Sequence, residues 1–244
     1  MVWWRLVRES AANALSRALV AELRAATKAV GVDTRVVVVT GAGKAFCAGA
    51  DLKERRGFSL EETRGFLDQL GGTLDAIAGL RCPVIAAMNG VAFGGGLELA
   101  LACDVRIAAE GVTMGLVETR LGIIPGAGGT QRLARLVGPA RAKELIFSGR
   151  RFDAADALRW GIVQQVVTPS ELDAAAGRLA DEIAGAGPLA VAEAKAAIDE
   201  GLAGTLAEGL VTERRHYEVT LASADRDEGL AAFAEKRAPV FHGK

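Results

Sequence analysis

The apolar positions of this chain change period several times, and each change predicts an element. Leu15, Leu19 and Leu23 recur every fourth residue, which predicts a helix over 14–30 with Asn13 as its N-cap. Val36-Val37-Val38-Val39 is a continuous β-branched run that stops at Gly41-Ala42-Gly43. Such a run predicts a strand buried on both faces. A helix is predicted over 60–78 and a second buried strand at Val84-Ile85-Ala86-Ala87. That strand leads through Asn89-Gly90 to Gly94-Gly95-Gly96, which opens a helix over 97–103, and Val105-Arg106-Ile107-Ala108 predicts a third strand. Strand, glycine turn, helix, strand is the rhythm of parallel crossover units, so the expected class is α/β. From about residue 139 the pattern turns helical, over 139–147, 153–160, 170–184, 188–200, 205–222 and 227–236. One short strand, 162–167, interrupts it. These helices are rich in alanine and each buries little area, so they are expected to lean on the core or on another subunit.

Composition narrows the class. The chain has 244 residues, enough for one large domain. Glycine is in excess, 30 of 244 residues, against a usual share of about 7%. The net charge is −1, which gives no global field for nucleic acid or an anionic membrane. Three widely spaced cysteines, Cys47, Cys82 and Cys103, argue for a reducing, cytoplasmic setting and against a disulfide framework or a zinc site. The start has no signal-peptide core, and no apolar run reaches the roughly 18 residues of a membrane span.

Three glycine-rich segments are candidates for chemistry. In Phe46-Cys47-Ala48-Gly49-Ala50-Asp51-Leu52-Lys53 small residues follow a buried strand. This is either an ordinary glycine turn with a capping Asp, or a loop whose bare N–H groups approach a ligand. Gly94-Gly95-Gly96-Leu97-Glu98 places amides and a carboxylate at a helix start. Glu98 is either a dipole-favoured surface carboxylate or a partly buried catalytic one. Glu118 sits in an apolar stretch beside the run Pro125-Gly126-Ala127-Gly128-Gly129. Two carboxylates beside glycine turns suit paired acid and base work on one water. No G-x-S-x-G, P-loop, dinucleotide fingerprint or metal-ligand spacing is present.

Together these segments resemble the crotonase family, the enoyl-CoA hydratase/isomerase superfamily. The resemblance is carried by Lys44 through Lys53, by Asn89-Gly90 through Ala100, by Cys103-Asp104, and by Glu118 with the run Pro125 through Leu133. Phe233, Lys236-Arg237 and Phe241 near the C-terminus match as well. It implies a spiral of strand–strand–helix (ββα) units over 1–165 with the thioester site. A helical trimerisation region over 166–244 would follow, in a homotrimer or a hexamer made of two trimers. It implies an acyl-CoA substrate whose carbonyl sits between the amides of Ala50 and Gly95. Glu98 would activate the water that attacks the β-carbon, and Glu118 would deliver a proton to the α-carbon. Further substrate and CoA contacts are implied at Ala48, Asp51, Leu52, Lys53, Gly94, Pro125, Gly126 and Lys236. Coenzyme A would enter only as part of the substrate, with no tightly bound cofactor and no metal.

The implied activity is that of an enoyl-CoA hydratase of fatty-acid β-oxidation. The alternatives are a methylglutaconyl-CoA hydratase of leucine breakdown and an enoyl-CoA isomerase. A methylglutaconyl substrate carries a free carboxylate, for which Arg55, Arg56 and Arg120 are candidate cations. One branch of these hydratases binds RNA through lysines on the first helix. Here Arg17, Arg24 and Lys28 are dispersed and read as a solvated face. The chain departs from the family at Val7-Arg8-Glu9, which stands where Asn-Arg-Pro is usual, in a loop that helps to hold the CoA adenine and phosphates. One N-terminal strand fewer is expected.

Overall fold

A computed structural model describes residues 1–244. Its order of elements is β1 (Val2–Leu6), α1 (Arg17–Ala29), β2 (Val37–Gly41), β3 (Ala45–Cys47), α2 (Leu52–Arg55), α3 (Leu60–Ala78), β4 (Val84–Met88) and β5 (Val91–Phe93). Then come α4 (Gly95–Ala102), β6 (Val105–Ala109), β7 (Thr113–Gly115), a 3-10 turn (Glu118–Leu121), α5 (Gly129–Ser148), β8 (Phe152–Asp153), α6 (Ala154–Arg159) and β9 (Gln165–Val167). Four helices complete the chain: α7 (Leu172–Ala184), α8 (Pro188–Gly201), α9 (Leu206–Leu221) and α10 (Ala224–Glu235).

The strands form two sheets. A five-stranded sheet runs β1-β2-β4-β6-β9 and is parallel throughout. A four-stranded sheet runs β3-β5-β7-β8, with only β8 antiparallel. Only two or three residues separate β2 from β3, β4 from β5 and β6 from β7. Each of β2, β4 and β6 is thus followed by a tight corner and a short strand of the second sheet. This repeat is the spiral that the resemblance implies. Every residue of β2 and β4 is buried, as their unbroken apolar runs require.

Local chemistry accounts for the helix boundaries. Ser59 and Glu62 form a reciprocal capping box that starts α3, and Phe66, Leu70, Leu74 and Ile77 bury one face of it. The helix α4 is wholly buried and, apart from Glu98, has no polar side chain. Its C-terminal carbonyls are served by buried Arg106, which donates to Cys103 O at 2.6 Å and to Ala100 O at 3.4 Å. A cation at that end complements the helix dipole and completes the anchoring of the helix that carries Glu98.

Three expectations need correction. The N-cap of α1 is Ser16, whose hydroxyl accepts from Leu19 N, and not Asn13. Asn13 instead adopts a left-handed backbone (φ 55) and is fully buried. Its amide donates to Ala42 O and Ala45 O, and its carbonyl accepts from Arg8 N. The helix expected over 139–147 begins ten residues earlier, at Gly129, and continues through a break at Gly138 just before Pro139. The strand expected over 162–167 shortens to Gln165–Val167.

The core runs through both sheets and takes in α7, where Leu172, Ala175, Ala176 and Ala180 are buried. By contrast α8 and α9 pack on each other and bury no residue fully. Leu202, Leu206, Val211 and Phe233 stay exposed in this region. All three cysteines are buried and unpaired, and burial pushes the Cys47 and Cys103 thiols up to about 12. No helix is long and apolar enough to cross a membrane.

Candidate active site

The site forms where the end of β3 meets the start of α4. A methyl group on Gly96 would lie 2.0 Å from Cys47 O, so only glycine permits this approach. Gly49 has φ 101, and a methyl group there would strike Phe93 O at 2.6 Å. The two glycines thus let the loop after β3 lie against the first turn of α4. The amides of Ala50 and Gly95 come together here: a methyl on Gly95 would stand 3.6 Å from Ala50 N. Gly95 is the first residue of α4, where an amide has no intrahelical acceptor. Neither N–H donates to another backbone group. Two convergent free donors, one at a helix N-terminus, are suited to a developing oxyanion.

Glu98 projects from the first turn of α4 and is buried. Its Oε1 accepts from Ala127 N and from Gly129 N, both at 2.8 Å. The glycine-rich run before α5 therefore wraps the carboxylate and fixes its rotamer. Its Oε2 has no protein partner. Burial raises the Glu98 pKa, against the opposing pull of the two amides and of Arg132. Arg132 is itself positioned by Ala127 O and Asp75.

Glu118 opens the 3-10 turn after β7. Its Oε2 is buried and has no hydrogen-bond partner. Burial pushes its pKa up to about 7; its own backbone N–H pulls the other way, and the Glu98 charge adds to the rise. Two carboxylates thus face one space, one clamped by amides and one left free to exchange a proton near neutrality.

That space is a cavity of about 90 Å³. Ala48, Ala50, Leu52, Gly94, Gly95, Glu98, Glu118 and Gly126 line it, so eight of the sequence-predicted site residues meet there. The other four lie elsewhere. Asp51 is buried behind the loop, where it N-caps α2 and pairs with Arg8. Lys53 is exposed next to it, Pro125 is buried without lining the cavity, and Lys236 is the exposed, left-handed C-cap of α10. Of the three arginines considered for a substrate carboxylate, only Arg55 lines the cavity. Sequence reasoning did not single out the residues of the apolar wall, which are Phe66, Leu67, Leu70, Val117, Leu121, Ile123 and Ile124. Phe66 and Leu70 share the heptad-like spacing of ordinary core residues, so nothing in the pattern separated them. No group of three or more His, Cys, Asp or Glu is placed to hold a metal ion.

The spiral, the paired amides and the two glutamates are brought together as the crotonase resemblance implies. Residues 3–244 match the family model described as enoyl-CoA hydratase/isomerase, and the chain belongs to that family. It is 49% identical over 241 residues to the putative enoyl-CoA hydratase/isomerase YngF of Bacillus subtilis, covering 98% of this chain and 93% of that one. The human mitochondrial methylglutaconyl-CoA hydratase is 45% identical over 239 residues, with 95% of this chain and 70% of the relative covered. The crystal structure of an enoyl-CoA hydratase from Bacillus anthracis superposes with a TM-score of 0.98 at 51% identity, covering 100% and 96% of the two chains.

Proposed function

We propose that the protein adds water reversibly across the α,β double bond of a 2-enoyl-CoA thioester to give the 3-hydroxyacyl-CoA. The observation that carries this reading is the pair of Glu98, which is buried, and Glu118, which is half-buried with its Oε2 enclosed, both facing the cavity that the free amides of Ala50 and Gly95 line. The thioester oxygen accepts from those two N–H groups, and charge that builds on it in the transition state is stabilised there. Glu98, through its free Oε2, takes a proton from water as the oxygen bonds to the β-carbon. Glu118 gives its proton to the α-carbon. Transfer of a proton from Glu98 back to Glu118 restores the pair, and the sum is one water consumed. The two carboxylates titrate together, so the roles belong to the pair as much as to either residue.

Lys53 and Lys236 are assigned to contacts with the CoA moiety, and the exposed apolar positions of α8–α10 to a homotrimer or a hexamer of trimers. We place the enzyme in the cytoplasm because three free cysteines suit a reducing compartment.

The test is the loss of enoyl-thioester absorbance with crotonyl-CoA. Glu98→Gln and Glu118→Gln are each expected to lower kcat by about 10²–10⁴ while changing KM little. No turnover of any 2-enoyl-CoA, or a 3-enoyl to 2-enoyl shift without hydration, would overturn the reading.

A further inference from the structure

Two carbonyls lie between the amides that hold Glu98, and Arg132 takes both. Ala127 N and Gly129 N donate to Glu98 Oε1, each at 2.8 Å. Between them, Arg132 Nη1 donates to Ala127 O at 2.9 Å, and the Arg132 backbone N–H donates to Gly128 O at 2.8 Å. Ala127 is buried and no backbone N–H serves its carbonyl, so the guanidinium is the group that satisfies it. Gly128 makes room for this contact. It has φ 100, and a methyl group there would strike Arg132 Nη1.

The other arm of the guanidinium reaches α3, where Nη2 donates to Asp75 Oδ1 at 2.7 Å. The same helix touches the glycine run a second time: a methyl on Gly126 would stand 3.0 Å from Leu67 Cδ2. The helix that builds the apolar wall is thus tied at two points to the turn that grips Glu98. The Asp75 side chain is 75% exposed and screened by solvent, whereas that of Arg132 is only 21% exposed. The pair therefore leaves a net positive charge on the Glu98 side. The other charged groups that face Glu98 are Glu118 from the turn after β7 and Arg55 from α2. The Cys47 and Cys103 thiols beside α4 are held neutral by burial. Arg132 is the cation that draws the Glu98 carboxyl down against its burial.

We propose that Arg132 is a positioning residue for hydration: it locks the turn 127–129 around Glu98 Oε1, so that Oε2 stays turned to the water, and its charge keeps Glu98 in the basic form. This rests on the hydratase reading above. Arg132 does not line the cavity, so it acts through Glu98 and not on the substrate.

Arg132→Met is expected to lower kcat for crotonyl-CoA by about 10- to 100-fold at about pH 8, with KM changed less than about threefold. The loss should deepen toward about pH 6, because more Glu98 is protonated there than in wild type. Arg132→Lys keeps the charge and loses the fork, so it should recover the wild-type pH profile and only part of kcat. Asp75→Asn leaves the Arg132 charge in place, and its smaller loss should not deepen at low pH. Arg132→Gln, uncharged but still able to donate, is read as Arg132→Met is and serves where that variant does not fold. A loss that is uniform in pH would make Arg132 merely structural and overturn the proposal, as would an effect confined to KM. A second measurement needs no turnover. In infrared titration, with the Glu98 carboxyl band identified by its absence in Glu98→Gln, Glu98 should protonate at higher pH in Arg132→Met than in wild type, and as wild type does in Arg132→Lys. Equal titration in all three would sink the role of Arg132 and leave the hydratase reading standing. A shifted titration in a protein that hydrates no 2-enoyl-CoA would uphold the hold of Arg132 on Glu98 and overturn the hydratase reading instead.

Discussion

Arg8 and Asp51 are joined by a 2.5 Å ion pair that ties the turn after β1 to the loop carrying Ala50. The Asp51 carboxylate is fully engaged, since Oδ1 accepts from Lys53 N and Glu54 N while Oδ2 accepts from Arg8. Arg8 also donates to Ala14 O at 3.0 Å. The loop where the family's Asn-Arg-Pro is replaced therefore still supports Ala50, the proposed oxyanion donor, through Arg8. Arg8→Met and Asp51→Asn are each expected to lower kcat by about 10- to 100-fold through misplacement of Ala50 N, with partial rescue by Arg8→Lys. The Arg8 hydrogen bond, and next the Glu54 amide, hold the Asp51 carboxyl below its usual value of 3.8. A depressed pKa stabilises the fold above the unfolded value and loses that contribution as pH falls through the folded one. The stability gap between wild type and Asp51→Asn should thus be present at pH 7 and shrink below about pH 4. A gap that is unchanged between pH 7 and pH 3 would show that the ion pair does not act in this way.

Gly95 and Gly96 are adjacent yet should respond oppositely to alanine. A methyl on Gly96 meets backbone, Cys47 O at 2.0 Å, and nothing flexible can yield. Gly96→Ala is expected to cost about 3 kcal/mol or more, at or beyond the upper range for overpacking, and to give little folded protein. A methyl on Gly95 meets only the end of the Leu15 side chain at 3.2 Å and then stands 3.6 Å from Ala50 N. Gly95→Ala should therefore melt near wild type while losing about 10²–10³ in kcat, because the methyl intrudes between the two donors. Thermal melts beside steady-state kinetics check both, and an active Gly95→Ala would place the thioester oxygen elsewhere.

The elements that could be read from the sequence are those whose burial is uniform or strictly periodic. The runs at Val36–Val39 and Val84–Ala87 lie between helices on a parallel sheet, and α3 shows an unbroken apolar stripe, so both signals survive in one dimension. The second sheet left no such signal. Its strands, such as Val91–Phe93 and Phe152–Asp153, are two or three residues long, too short for alternation to register. The start of α5 was hidden because Gly128 and Gly129 read as loop, although Gly129 N is held by Glu98. Glu98, Glu118 and the amides of Ala50 and Gly95 were singled out through the family resemblance, since a glycine turn or a helix-start carboxylate alone has common structural uses, and the fold brings all four to one cavity. The apolar wall was not singled out, since a cavity wall and a core use the same residues. Asn13 was misread for a related reason: a polar residue before a helix is usually a cap, and only the fold shows which carbonyls it meets.

Asn13 supports a stability prediction of its own. Its amide closes Ala42 O at 2.9 Å and Ala45 O at 2.7 Å in the interior, and its carbonyl takes the part-buried Arg8 N at 2.9 Å. Asparagine also tolerates the left-handed backbone that the site demands. Asn13→Ala removes the partner of Ala42 O and of the part-buried Arg8 N and leaves Ala45 O only the longer bond from Asn89 Nδ2 at 3.4 Å, at about 1–3 kcal/mol for each group not rescued by water. Asn13→Asp keeps the size but turns the two donor contacts into oxygen against oxygen. It should be no more stable than Asn13→Ala at pH 7. Chemical denaturation of the two variants decides this, and a wild-type midpoint for either would show that the interior asparagine is dispensable.

Glu118 links the chemistry to stability with a sign that can be checked. Its folded pKa of about 7 stands above the ordinary 4.5. Between those values the folded state binds more protons than the unfolded one, so stability falls as pH rises through the window. The penalty is nearly complete at pH 8 and small at pH 5. Glu118→Gln carries no charge at either pH and keeps the shape. It is therefore expected to be more stable than wild type at pH 8, by about 1–3 kcal/mol after allowance for partial exposure. In a chain of this size that is a rise in Tm of about 2–10 °C, narrowing markedly at pH 5. The same variant should be catalytically poor, so stability gained at pH 8 and activity lost would move together. A Tm difference that is flat from pH 5 to pH 8 would mean that Glu118 is not desolvated in the folded protein, and its role as a proton donor near neutrality would fall with it.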